Sequence, residues 1–375
     1  MRATWRRLHL ALGLTAGTIF VLAGLTGSVL VFYLEIDALL NPALADARPA
    51  APPRPFEELY QALRRAHPDR PDAWRLEIPA VPGRPITARY YTPAESAQRL
   101  FAPLMVSLDP ATATVIDTRL WGDYAMTWLY DLHYTLLFER AGRTVLGVLG
   151  VLMLLGLGSG VALVWPRRGR WRAALRVRPR PGAARRLFDL HRTAGLYGLL
   201  LSVLLVFTGL CLALPEQLRP LLQAMAPLHR PSVPTSLPGG APRLSLDAAV
   251  AIAQRRFPSA RLAWIETPQG PTGSYRINLR QPFEPSQRFP RTNVWLDQYS
   301  GEVLAVRDPR HDSAPDVFLN WLHPLHNGEA FGLAGRVLAC LAGVVPAVLW
   351  VTGLLRWRQK RAAARIVGQR RTRAA

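Results

Sequence analysis

The stretch Arg185-Arg186-Leu187-Phe188-Asp189-Leu190-His191-Arg192-Thr193-Ala194-Gly195-Leu196, followed by an apolar run that lasts to Glu216, decides how the rest of the chain is read. It has a twin at the start. A shift of 182 places lays Leu8, His9, Gly13, Leu14, Thr26 and Gly27 on Leu190, His191, Gly195, Leu196, Thr208 and Gly209 without a gap. A second shift, of 193 places, lays Trp128, Leu129, Leu132, His133, Ala141, Gly142 and Arg143 on Trp321, Leu322, Leu325, His326, Ala334, Gly335 and Arg336. The chain therefore reads as two copies of one unit: a hydrophobic helix, a polar insert and a second hydrophobic helix, with a histidine attached to each helix. Internal repetition constrains the fold more strongly than any single motif.

Four stretches contain no Asp, Glu, Lys or Arg: residues 8–34, 144–166, 193–215 and 337–355. Each is near or above the ~20 residues with which a helix crosses ~30 Å of hydrocarbon. The expected fold class is membrane α-helical, a four-helix transmembrane bundle from two parallel repeats, each with an extracytoplasmic α+β insert. The expected segments are a first span (1–36), a first insert (37–127), an interfacial segment with the second span (128–166) and a basic loop (167–186). A third span (187–216), a second insert (217–317), an interfacial segment with the fourth span (318–357) and a basic tail (358–375) follow. Arg6-Arg7, the apolar run and Ala45-Asp46-Ala47 together resemble a secretory signal. A run of 27 residues exceeds the ~7–15 of a signal's apolar region, so it is read as an uncleaved anchor.

The net charge of +21 is distributed as topology. Arg2, Arg6 and Arg7 precede the first span, nine arginines from Arg167 to Arg186 fill the central loop, and eight cations from Arg356 to Arg373 follow the fourth span. By the positive-inside rule, both termini and the central loop are cytoplasmic and the inserts lie outside; in a Gram-negative cell this is a multi-pass inner-membrane protein with periplasmic inserts. The basic flanks suit anionic membrane lipids, and a nucleic-acid partner is not needed to explain them. Both cysteines, Cys211 and Cys340, fall inside expected spans, which excludes a disulfide framework and leaves a single bridge or plain helix packing.

The inserts repeat a plan. In the first, Phe56 to His67 has helical spacing, Trp74–Ile78 and Ile86–Tyr91 alternate as strands, and Leu104–Leu108 leads to Val115-Ile116. The second has a helix over Ser245–Phe257 with Ser245 as N-cap, then strands Arg261–Thr267, Tyr275–Leu279, Thr292–Leu296 and Val303–Val306. Pro-rich linkers, Pro42 to Pro55 and Pro227 to Pro242, lead into them.

This order of elements, with Asn293-Val294-Trp295-Leu296-Asp297-Gln298-Tyr299-Ser300-Gly301-Glu302-Val303, resembles a PepSY domain. Leu8-His9, Leu132-His133, Leu190-His191 and Leu322-His323-Pro324-Leu325-His326-Asn327-Gly328 resemble the PepSY-associated transmembrane family. In the first insert the family's Asp-x-x-x-Gly turn is replaced by Asp109-Pro110-Ala111-Thr112-Ala113. The resemblance implies kinship with iron-regulated membrane proteins and ferric-siderophore reductases.

If the spans run in, out, in, out, the first and third are parallel, and the halves are related by an axis along the membrane normal. His9 and His191 then share an inner layer, and His133 and His326 an outer one. Two facing imidazoles suit bis-histidine ligation of a b-type haem, so two haems are expected, with Arg143 and Arg336, or Arg7 and Arg192 in the inner layer, as propionate partners. Gly13, Gly17, Gly195 and Gly198 would let a macrocycle or a helix come close. His133 precedes Arg143 by ten residues, ~15 Å on a continuous helix, which would put the outer haem at or above the head groups. His323 is a further candidate ligand, or one of a metal-binding pair with His326, although Pro324 between them threatens helical geometry. His67, His229 and His311 lack metal-ligand spacing, and no flavin or nicotinamide fingerprint, nucleophile set or Walker loop is found. The expected function is a di-haem oxidoreductase that passes electrons outward to a ferric siderophore or other iron(III) chelate, fed by a cytoplasmic or quinol donor. The alternatives are a membrane-anchored PepSY binding or regulatory module, and a haem or metal transporter.

Overall fold

The computed structural model describes residues 2–45, 52–166, 169–178, 182–229, 233–238, 240 and 242–374. Asp46 and Ala47 of the cleavage-like triplet, Pro49, and Arg167, Arg168 and Arg180 of the basic loop lie outside them. The main helices, in chain order, are α1 (Arg2–Leu14), α2 (Ala16–Leu30), α3 (Phe56–Ala66), α4 (Ala125–Thr135), α5 (Glu139–Val164), α6 (Ala183–Tyr197), α7 (Leu199–Ala213), α8 (Leu246–Arg256), α9 (Ala314–His326) and α10 (Gly332–Ala374). The strands are β1 (Trp74–Glu77), β2 (Ile86–Tyr90), β3 (Leu104–Leu108), β4 (Val115–Leu120), β5 (Arg261–Glu266), β6 (Ser274–Arg280), β7 (Thr292–Asp297) and β8 (Val303–Arg307). These form two compact units, one of residues 1–32, 132–215 and 325–375, the other of residues 33–131 and 216–324.

In the helical unit, α5 and the segment Glu329–Val367 are each long and apolar enough to cross a membrane. The pairs α1–α2 and α6–α7 meet the same test only when each is taken together, and they bend by 48° and 60°. The apolar runs 8–34 and 193–215, each expected as one span, are each a bent pair of helices. The two breaks, at Thr15 and Gly198, fall one residue apart in the register of the repeat. Thr15 Oγ1 bonds back to the Ala11 carbonyl at 2.8 Å, a contact that bends helices. At Gly198, Val345 stands 2.8 Å from where a Cβ would project, so the site has no room for a side chain.

Helix α1 packs on α5 and α6 on α10, while α2 lies along α10 and α7 along α5. At the α2–α10 crossing, a Cβ on Gly24 or Gly343 would collide with the other's carbonyl oxygen, so the two backbones touch. Ser28 fixes the crossing by donating to the Cys340 carbonyl at 2.8 Å. Cys340 and Cys211 are both free thiols.

The continuous helix expected beyond His133 is not there. Leu136, Leu137 and Glu139 have φ of 52°, 63° and 52°, a left-handed corner that stops α4 and restarts the chain as α5. The second half turns at Gly328 and Gly332, φ 79° and 59°. Gly142 and Gly335 make these corners compact: a Cβ on Gly142 would collide with the Thr135 carbonyl, and one on Gly335 with the Gly328 carbonyl. The chain therefore folds back, and His133 lies against Thr26 and Gly27 of α2 instead of ~15 Å beyond the span.

In the other unit the two inserts do not fold as separate domains. They form one antiparallel sheet in the order β4-β3-β2-β1-β5-β6-β7-β8, joined where Leu76 of β1 pairs with Ile265 of β5. Each half alone would leave β1 or β5 as an open edge, and pairing them removes both edges. One core results: Leu76, Ala88, Val106, Ile265, Ile277, Leu279, Val294 and Leu296 on one sheet face, against Leu59 and Leu63 of α3 and Leu246, Ala249 and Ala253 of α8. The two helices cap each other. Asp247 accepts from the backbone N–H groups of Phe56 and Glu57 at 2.9 and 3.0 Å, and Glu57 accepts from that of Leu246 at 2.9 Å. Ser245 is the N-cap of α8, accepting from Ala248 at 3.3 Å. Pro42, the first residue of the expected Pro-rich linker, opens a short helix, Pro42–Ala45.

Candidate functional site

The structure brings the four repeat-related histidines of the helical unit together in two pairs. His9 and His191 have ring centroids 6.0 Å apart at an interplanar angle of 86°; His133 and His326 are 6.1 Å apart at 45°. Two metal–imidazole bonds of ~2.0 Å and the two half-rings add up to about 6 Å, so both separations fit a metal held between the rings. Ordinary ring contacts also span ~4.5–7 Å, so the distance does not decide. The hydrogen bonding bears on which ring nitrogen is left open.

Each histidine presents Nδ1 to a hydroxyl on a neighbouring helix, and all four do so at 3.0 Å: His9 to Ser159, His191 to Thr352, His133 to Thr26 and His326 to Thr208. Each hydroxyl already donates its one proton to a carbonyl of its own helix: Ser159 to Gly156 at 2.6 Å, Thr352 to Val348 at 2.6 Å, Thr26 to Leu22 at 2.8 Å and Thr208 to Leu204 at 2.7 Å. The hydroxyl oxygen is left to accept, so the histidine must donate, and the proton sits on Nδ1. At the His9–His191 pair the carbonyls of Gly156 and Leu349, which only accept, lie 3.2 and 3.0 Å from the same nitrogens. The lone pair is thereby assigned to Nε2, the tautomer of a metal ligand steered through its other nitrogen.

Each ring is also seated on a glycine. A Cβ on Gly27, Gly160, Gly209 or Gly353 would stand 2.9, 3.0, 3.0 or 3.4 Å from Cε1 of His133, His9, His326 or His191. The acceptor and the seat are thus adjacent residues in every case: Thr26-Gly27, Ser159-Gly160, Thr208-Gly209 and Thr352-Gly353. Sequence reasoning matched the first and third pairs as repeats without a role and missed the second and fourth. The missing signal was a hydroxyl–glycine dipeptide in each hydrophobic segment.

The other candidates fare differently. Arg336, half-buried, donates from Nε and Nη2 to the Val31 carbonyl at 3.2 and 2.8 Å and lies 4.5 Å over the Phe32 ring, capping the end of α2. Arg143 occupies the equivalent place on α5. In the basic loop, Arg192 bonds the carbonyls of Ala173 and Arg176 and pairs with buried Asp189 at 3.3 Å. Arg7 is exposed. Gly17 and Gly195 pack against Trp350 and Leu349, as Gly198 does against Val345, so these three serve helix packing, while Gly13 faces open space.

His323 belongs to the sheet unit, its ring edge-on to Phe289 at 4.7 Å. Pro324 does not spoil the geometry; it lies inside α9, which runs on to His326. Among the described residues, no group of three or more His, Cys, Asp or Glu side chains is placed to hold a metal ion. His67 sits 5.8 Å from the Trp74 ring, and the His229 N–H is held by the Asp316 carboxylate at 3.0 and 3.1 Å.

The family model described as PepSY-associated TM region matches residues 6–360. The chain belongs to that family. An uncharacterized protein of Pseudomonas aeruginosa is 30% identical to it over 270 residues, 64% of this chain and 65% of that protein. The match covers just under two thirds of the relative's length. Family and structure agree on the coarse architecture: apolar helices of membrane-spanning character joined to an antiparallel sheet insert.

Proposed function

We propose that this PepSY-associated membrane protein is a four-helix, two-haem oxidoreductase that passes electrons across the cytoplasmic membrane to an iron(III) chelate, a ferric siderophore, on the far side. The carrying observation is the fourfold recurrence of one arrangement: a histidine with Nδ1–H tied to a hydroxyl, its ring seated on a glycine, and a second such histidine facing it. An anchor for a binding module needs none of this. His9 with His191 would hold one b haem and His133 with His326 the other, with Arg143 and Arg336 as propionate partners. A haem bound this way supplies a one-electron couple. The residues of this chain orient the ligands, fix their tautomers and exclude water with the packed helices around them. For the acceptor, hard oxygen donors grip iron(III) tightly and iron(II) weakly, so one electron loosens the chelate and frees the metal. The positive-inside pattern supports a reading with both termini in the cytoplasm and the sheet unit in the periplasm, with a separate protein or a quinol as electron donor.

The test is an absorption spectrum of the purified protein, oxidised and dithionite-reduced, with haem per chain measured after extraction. Two low-spin b haems are expected, with reoxidation of the reduced protein by ferric siderophore. His191→Ala should remove one haem and His326→Ala the other. Equal haem content in wild type and both variants would sink the assignment.

A further inference from the structure

The sheet has a second face, turned away from α3 and α8, and a transverse row of residues crosses it. Strand register aligns Arg89, Arg75, Glu266, Arg276 and Trp295 on successive strands β2, β1, β5, β6 and β7. Around the last four of these, with the turn between β5 and β6, lies a cavity of about 300 Å³. This is the small end of the range for ligand clefts.

Its lining has more donors than acceptors. Arg75 and Arg276 both pair with Glu266, two guanidinium groups against one carboxylate. Arg75 is held flat, 4.2 Å over the Trp264 ring and 4.8 Å from that of Tyr91. Trp295 is 3% exposed and Ser274 8% exposed, and among the described residues neither the indole N–H nor the hydroxyl has a hydrogen-bond partner. An indole N–H can only donate. A buried donor left unmatched is destabilising, and an acceptor brought by an occupant would remove that penalty.

We propose that this cavity binds a small organic polycarboxylate. A carboxylate oxygen would take the Trp295 and Ser274 donors, and the surplus positive charge of Arg75 and Arg276 over Glu266 would attract the anion; planar guanidinium forks match carboxylates as they match phosphates, which is why phosphate is a control below. The occupant is a small molecule, not an added strand, because every strand contributing to the cavity is already paired on both sides. The inference does not depend on haem binding or electron transfer.

The test is calorimetric titration of the full-length protein in detergent with citrate, and separately with its iron(III) complex. One site per chain is expected for at least one of the two, and the tighter arm tells whether the free acid or the chelate is the ligand. Trp295→Phe, which keeps the ring and removes the donor, should weaken binding about tenfold or more, and Ser274→Ala several-fold. Should Trp295→Phe fail to fold, as judged by thermal unfolding, Ser274→Ala decides alone. The proposal is overturned by no binding of either form up to ~1 mM, by unchanged affinity in both folded variants, or by inorganic phosphate binding where citrate does not.

Discussion

Replacing Thr26 and Thr208 together by valine removes both acceptor hydroxyls of the outer histidine pair while nearly keeping side-chain shape. Both threonines are buried, 6% and 1% exposed, and each Oγ1 takes the Nδ1–H of its histidine at 3.0 Å. Without them, two buried N–H groups lose their acceptors, a penalty of about 1–3 kcal/mol each. Outer-shell partners of this kind are worth about 10–100-fold in metal affinity. The double variant is therefore expected to lose the outer haem at a dilution or competitor concentration about 10–100-fold lower than the wild type, with the inner haem untouched.

Potential gives a second, independent readout. A bond donated from Nδ1–H raises electron density on Nε2 and favours the oxidised iron, so its loss should raise the potential. If the bond favours iron(III) by ~1 kcal/mol, the shift is about 40 mV, given 59 mV per tenfold for one electron. Potentiometric titration with haem per chain checks both numbers, and Thr26→Ser with Thr208→Ser should restore them. Unchanged haem retention and an unchanged pair of potentials in the valine variant would refute the tautomer assignment.

Gly27→Ala would place a methyl 2.9 Å from His133 Cε1 and is expected to displace that ring and reduce the outer haem, whereas Gly353→Ala, at 3.4 Å from His191, should keep the inner one; haem per chain separates the two. Ala113 sits at φ 57° in the tight turn whose counterpart in the second insert ends on Gly301 at φ 74°. Ala113→Gly should stabilise the protein by up to about 1 kcal/mol, seen as a raised denaturation midpoint, because a left-handed non-glycine residue costs ~1–2 kcal/mol and glycine returns part of that as chain entropy. At Asp297, burial pushes the carboxyl pKa up, but hydrogen bonds from the backbone N–H groups of Ser300, Tyr299 and Leu237 outweigh it and hold the pKa below the usual value. A lowered folded-state pKa adds stability above the ordinary ~3.9 and loses it as pH falls through the folded value. Thermal unfolding should therefore become easier below about pH 4, and Asp297→Asn should flatten that dependence.

Strand β1 was readable because alternation survives burial on one face: the expected strand starting at Trp74 lies where the structure has β1, buried at every second residue, and the helical spacing from Phe56 lies where it has α3. The union of the two inserts in one sheet was not readable, because β1 and β5 have no local signature of the strand across from them. Pairing of Leu76 with Ile265 is a contact between halves nearly two hundred residues apart, decided by edge closure and not by sequence spacing. The fold-back after His133 escaped for a different reason. Leu136, Leu137 and Glu139 occupy left-handed conformations that their residue types do not advertise, and only the repeat-matched Gly142 and Gly335 hinted that something must come close. Gly328 and Gly332 mark the same corner openly in the second half, so comparing the two halves would have exposed it in the first.

That comparison also bears on the histidines, since the two halves are two solutions to one packing problem within a single chain. Much has drifted between them: Gly24 faces Gly343 where α2 meets α10, but their repeat counterparts across α7 and α5 are Val206 and Gly150. Around each histidine nothing of chemical consequence has drifted. Ser159 and Thr352 differ by a methyl yet place a hydroxyl oxygen at the same 3.0 Å, and the glycine that follows is kept in both. A packing role would tolerate any side chain of similar volume at those places. A fixed hydroxyl acceptor, a vacant Cβ position and a directed Nε2 lone pair, retained together in four separate settings, are what a ligand that must be aimed would require, and their joint retention is what favours the proposed two-haem reading over plain helix packing.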